Sequence, residues 1–147
     1  MNKKLKIIII SVIFILSIFF IFIKSSNTPE KVIKNYIKYK DMHNIDKLSS
    51  TVTYEMPDYY IDNIETMKLI NIELITDEVL YNAYMHDGKG SLRKDLSRDD
   101  VKIYTVDYYI KYKDDNKSVE GSGEHNKHYT LIKEKGTNKW IIDSIGG

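Results

Sequence analysis

The chain has 147 residues, 22 basic against 21 acidic side chains, and no cysteine. That length accommodates one domain beside a terminal segment. The balanced charge leaves no nucleic-acid footprint, and without thiols the fold has neither disulfide staples nor thiolate metal ligands.

The first element is the apolar run over residues 5–23, LKIIIISVIFILSIFFIFI, in which only Lys6, Ser11 and Ser17 are polar. As a helix it spans roughly 28 Å, close to the roughly 30 Å hydrocarbon core of a bilayer. Lys3, Lys4 and Lys6 stand at its start and Lys24 follows it. The run is longer than the apolar core of a cleaved signal peptide, and no pair of small residues follows it at cleavage spacing. The reading is therefore an uncleaved single-pass anchor in the cell membrane. The short basic tail, residues 1–4, stays in the cytoplasm by the positive-inside rule, which puts the C-terminal domain outside. Beyond residue 23 the remaining 19 basic residues face 21 acidic ones.

A short polar linker, residues 24–28, leads off the membrane. Thr28-Pro29-Glu30 then predicts a helix start: a capping hydroxyl, proline at the first helical position and an acid in the first turn. Val32, Ile33, Tyr36, Ile37 and Tyr39 recur at helical spacing and extend it over 29–42. A further short turn is expected at 46–48, and Pro57 makes 49–63 irregular. Residues 66–76 predict a strand whose apolar phase changes between Leu69 and Ile70, as at a bulge. Asp77 predicts a cap on a helix over 78–86, with Val79, Leu80, Ala83 and Tyr84 as its apolar side. The stretch 87–100 reads as a polar, glycine-containing loop, flexible at Gly88-Lys89-Gly90-Ser91. Residues 101–113 form the strongest strand pattern, with Tyr104, Val106, Tyr108, Ile110 and Tyr112 on one face. A turn at 114–117 follows, 118–126 is ambiguous, and strands at 127–134 and 139–145 close over a turn at Gly136-Thr137-Asn138. Helices followed by a short-linked meander give an α+β class with an antiparallel sheet.

The helix PEKVIKNYIKYKDMHNIDKL and the closing hairpin LIKEKGTNKWIIDSIGG, with its Trp140-Ile141-Ile142-Asp143 strand, resemble the nuclear-transport-factor-2-like superfamily. Within it, the chain resembles uncharacterised membrane-anchored or lipid-anchored clostridial domains of unknown function. The resemblance covers 29–147 and implies a cone-like curved sheet packed on N-terminal helices around a cavity. It carries over no catalytic residue. Relatives of this kind often bear a lipidated cysteine; this chain has none, which favours the helical anchor.

Some members of that superfamily use a carboxylate base inside the cone, which makes Asp107 and Asp143, both mid-strand, the catalytic candidates. The competing reading has each carboxylate in water on a solvated sheet face. For Asp143 that predicts a nearly neutral Asp143→Ala, while Trp140, packed under the first helix against Ile33, Tyr36 or Ile37, should be costly to truncate. Tyr104, Tyr108 and Tyr112 are the ligand-binding candidates, since phenol rings offer an apolar body with a polar tip. Their structural reading is half-buried strand packing. His125 and His128 point to opposite faces of a strand, so they make no metal pair. Gly88-Lys89-Gly90-Ser91 lacks the P-loop spacing. No cofactor is implied.

The expected role is non-enzymatic: an extracytoplasmic domain, held to the membrane through residues 5–23, that binds a protein, peptide or envelope ligand. Two other readings remain open. One is an isomerase or dehydratase-type enzyme with a carboxylate in a Tyr-lined cone; the other is an assembly component of an envelope-spanning secretion or transfer machine.

Overall fold

A computed structural model describes residues 10–13, 27–53 and 59–146. The apolar run over 5–23 and Pro57 therefore lie outside the described residues, apart from Ile10 to Ile13. Those four are helical, and Ile10, Val12 and Ile13 are exposed. Among the described residues no helix is long and apolar enough to cross a membrane.

Helix α1, Pro29–Asp41, starts as its sequence dictates: the Thr28 hydroxyl accepts from the Lys31 amide at 3.3 Å, Pro29 opens the first turn and Glu30 faces the positive end of the helix dipole. Its far end is stitched to the sheet. Asp41 Oδ1 accepts from the Met67 amide at 2.7 Å and the Thr66 hydroxyl at 3.0 Å, and His43 Nε2 lies 2.8 Å from the Ile64 carbonyl. Short helices α2, Ile45–Ser49, and α3, Tyr59–Asp62, lead into strand β1, Ile64–Leu74. Helix α3 falls in the stretch expected to be irregular. Helix α4, Glu78–His86, is capped by Asp77, whose carboxylate accepts from the Val79 amide at 2.9 Å.

Strands β2, Val101–Tyr112, β3, Gly123–Lys133, and β4, Trp140–Gly146, complete an open four-stranded antiparallel sheet in the order β1-β2-β3-β4. The fold is α+β. The β1–β2 register shifts between Leu69 and Asn71, where the sequence changes phase. A further shift falls in β4: Thr130 pairs with Ser144, but Leu131 pairs with Ile142, leaving Asp143 as the extra residue. Strand β3 starts at Gly123, inside the segment whose sequence was ambiguous.

The sheet is covered on both faces. On one, α1 and α2 bury Val32, Ile33, Tyr36, Ile37 and Leu48 against Tyr104, Val106, Tyr108, Ile110, Tyr129, Leu131 and Ile142. On the other, α4 brings Tyr81 and Tyr84 against Val101, Ile103 and Ile132. Tyr81 ties this second layer together, since its hydroxyl donates to the Ile75 carbonyl at 2.9 Å and accepts from the Ile103 amide at 3.2 Å.

Simple alternation along β4 puts Ile141, Asp143 and Ile145 on one face and treats that face as wet. The bulge moves Ile145 to the α1 side with Ile142 and Trp140, and α4 dries the side that Asp143 faces. Trp140 is partly buried against the α1 cluster, while Leu131 within that cluster is fully buried. Truncation should follow that difference. Leu131→Ala is expected to cost about 3–5 kcal/mol, at the upper end for a leucine, and Trp140→Ala about 2–3 kcal/mol because part of its ring stays in water. Urea titration followed by circular dichroism measures both.

Candidate functional site

Asp143 has no solvent-exposed surface, which corrects the expectation of a solvated carboxylate. Isolated burial of an ion costs several kcal/mol, so it persists only where donors surround it. Three do. The Tyr84 hydroxyl of α4 donates to Oδ2 at 2.6 Å, the Thr53 hydroxyl donates to Oδ1 at 2.7 Å, and Arg93 Nη2 donates to Oδ1. Lys89 Nζ donates to the Asp143 backbone carbonyl at 3.0 Å. Burial alone pushes the Asp143 carboxyl up; the bonds from Tyr84, Thr53 and Arg93, with the Arg93 charge, overcome this and hold it below the usual carboxylate range. Tyr84 responds in the opposite sense: burial and its anionic acceptor push its phenol well above the ordinary tyrosine value.

Local sequence delivers these donors. Helix α4 ends in a turn where the Asp87 and Gly88 amides both donate to the Ala83 carbonyl at 2.9 Å. The chain then folds back against α4 so tightly that a Cβ on Gly90 would lie 2.8 Å from the Tyr84 carbonyl oxygen and 2.9 Å from the Tyr84 ring. Only glycine fits there. The stretch expected to be a polar, glycine-containing loop is instead two short 3-10 turns, Lys89–Leu92 and Arg98–Asp100, and the first carries Lys89 and Arg93 to β4. From the other side Thr51 and Thr53 clamp β4: the Ile142 amide donates to the Thr51 carbonyl at 2.8 Å, and the Thr53 amide to the Ile142 carbonyl at 2.9 Å.

Beside this network lies a cleft of about 630 Å³. Val52, Ile132 and Ile141 supply apolar wall, Leu92 and Leu96 come from the α4–β2 connection, and Lys133, Glu134 and Lys135 come from the β3–β4 hairpin. Arg93 links the two features. One guanidinium nitrogen is fixed on Asp143, and 39% of the side chain remains exposed in the cleft. The arrangement can hold a ligand with an anionic group and some apolar surface. It is poorly suited to proton abstraction, because both Asp143 oxygens already accept hydrogen bonds.

The other sequence candidates lie elsewhere. Asp107 is half-buried on the outer side of the sheet and accepts from Asn126 Nδ2, its cross-strand neighbour. Tyr104, Tyr108 and Tyr112 share the α1 face and pack into or against its core. The Tyr104 hydroxyl donates to Glu30 Oε1 at 2.6 Å, and Tyr108 stacks on His125 with ring centroids 5.6 Å apart. Burial, with Glu120 nearby, pushes the Tyr108 phenol up to about 12. His125 faces Tyr108 while His128 lies opposite Thr105, so the two do point apart. Sequence reasoning missed Thr53, Tyr84 and Arg93 as partners of one carboxylate. The available signals were Arg93, one of only two arginines in the chain, and the Gly88-x-Gly90 spacing behind α4.

Removing the carboxylate should be severe. Asp143→Ala is expected to cost about 3 kcal/mol, chiefly by stranding Tyr84 and Thr53, with the share of Arg93 discounted for its exposure. Because the folded-state pKa is depressed, this contribution is complete above the unfolded value of about 3.9 and disappears as pH falls through the folded value. In urea titrations at a series of pH values, wild type should lose stability below about pH 4 more steeply than Asp143→Ala.

A family model described as "Domain of unknown function (DUF4829)" matches residues 30–146, from the first turn of α1 to the end of β4. No curated protein and no solved structure matches the chain. The network and the cleft both lie wholly within the matched segment, and the chain belongs to the family of domains of unknown function DUF4829.

Proposed function

We propose that this protein is a membrane-tethered, extracytoplasmic binding module, and that the cleft beside Asp143 and Arg93 is its binding surface. The observation that carries the reading is the state of Arg93. Its ion-pair partner is the buried Asp143, with Tyr84 beside it, and 39% of its side chain stays exposed on the cleft, so part of the guanidinium is open to a ligand. A guanidinium oriented by a buried carboxylate is a pre-organised anion receptor. The apolar wall beside it offers area without chemistry. A saturated carboxylate, held ionised, argues against the isomerase or dehydratase reading, which needs a base able to take a proton.

Two finer parts of the proposal rest on sequence. The tether is the apolar run over 5–23; its helical residues Ile10, Val12 and Ile13 are exposed, as lipid-facing side chains would be. The nuclear-transport-factor-2-like cone is supported by a first helix laid across an antiparallel sheet whose edge strands carry the bulges that bend such sheets.

A photo-reactive residue placed at Lys94, on the cleft, in the full-length membrane-bound protein tests the reading. A discrete adduct is expected there and none at Val119, an exposed position at the far end of the strands. Equal labelling at the two sites would remove the cleft from the proposal. Protease added outside intact spheroplasts should degrade the domain, and protection would reverse its orientation.

A further inference from the structure

The tether and the cleft meet on one strand. Asn27 Oδ1 accepts from the Trp140 amide at the start of β4. Asn27 is four Cα steps from the end of the apolar run at Ile23, a reach of at most about 14 Å. Trp140 pairs across the ladder with Lys133, which lines the cleft. The Asn27 side chain and its hydrogen bond add roughly 6 Å and adjacent ladder residues are about 5 Å apart, so Lys133 lies within about 25 Å of the membrane end of the tether. A domain of this length has a radius of gyration of about 14 Å. The β3–β4 hairpin end, and the cleft with it, is thus confined to the membrane-proximal part of the molecule.

The chemistry of that end suits a lipid surface. Arg93, Lys94, Lys133 and Lys135 line the cleft against Asp95 and Glu134, and Glu134 also accepts from the Thr137 hydroxyl at 2.8 Å. Among the described residues Lys94, Lys133 and Lys135 form no ion pair. Leu92, on the same rim, is 83% exposed. Unpaired cations around an exposed leucine form a surface that gains from anionic headgroups and from a shallow apolar contact together.

We infer that the cleft is a docking site for anionic phospholipid: its lysines and Arg93 hold headgroup phosphates while Leu92 enters the acyl boundary. The inference rests on the membrane tether of the proposed function and names the ligand of the same cleft. Docking fixes the domain against the bilayer that anchors it, so the β2–β3 connection, which carries Val119, points away from the membrane.

The full-length chain gives a direct test, because with no native cysteine a single Leu92→Cys can carry a fluorophore. The labelled protein is reconstituted into vesicles of phosphatidylcholine alone, or mixed with phosphatidylglycerol, each containing headgroup-nitroxide lipid as quencher. Strong quenching is expected in the anionic vesicles and little in the neutral ones, with Val119→Cys unquenched in both. Replacing Lys94, Lys133 and Lys135 by glutamine should lower the docked-to-undocked ratio on the order of a hundredfold, as should raised salt in part. Equal quenching in both lipids would overturn the role of charge. Absence of quenching in protein that still floats with the vesicles would overturn docking and leave the tether intact. Protein that does not float would overturn the tether, and the inference with it. A change in dye emission on adding inorganic phosphate to the neutral vesicles would assign the cleft to a free anion instead of lipid.

Discussion

The Asp143 carboxylate is the constraint on which the rest of this fold depends. A fully buried anion in a strand is unfavourable by itself, and it becomes tenable only when several donors converge on it. Those donors come from three separate parts of the chain: Thr53 from the segment after α2, Tyr84 from α4, and Arg93 from the turn that follows. In addition to the apolar packing of Tyr84 and the backbone bond of Thr53 to Ile142, their side-chain oxygens and nitrogens converge on this one carboxylate. Meeting its requirement pins α4 and its following turn to the sheet, and pins the 51–53 segment to the edge of β4. The walls of the cleft are a consequence of that pinning.

The bulge in β4 is the backbone counterpart of the same constraint. An extra residue at position 143 lets Ile142 and Ile145 both serve the α1 core while Asp143 turns to the opposite layer. Gly90 plays the complementary part across the interface. Its missing side chain permits the close approach to Tyr84 that brings Lys89 and Arg93 into range. A local irregularity in a strand and a local absence in a turn together produce one saturated polar network between two apolar layers.

Function is best understood from what the network leaves over. Asp143 is used up by its donors, whereas Arg93 is only partly used and keeps a face toward the cleft. That contrast is what supports the proposed role of receptor over that of a base. The proposed binding and the proposed tethering meet on β4, which borders the cleft near the point where its Trp140 amide bonds Asn27.

Much of the secondary structure was legible in the sequence because it is encoded by short-range physics. Thr28 and Asp77 cap helices through neighbouring amides, Val32, Ile33, Tyr36 and Ile37 recur at the helical period, and Tyr104, Val106, Tyr108 and Ile110 alternate along β2. The phase change at Leu69 likewise marks a register shift that pairing with β2 realises. The fate of Asp143 was not legible. Alternation along β4 identifies two faces but cannot say which of them another element will cover, and α4 contacts the sheet from more than 50 residues away in sequence. The cleft is hidden for the same reason, since Val52, Arg93 and Lys133 share no local pattern and are brought together only by long-range packing. The sequence by itself determined the apolar run, the helix caps and the strand periodicities. Tertiary structure alone decided that a carboxylate apparently suited to water would be the buried link between three segments, because burial is a property of what packs against a residue and not of the residue itself.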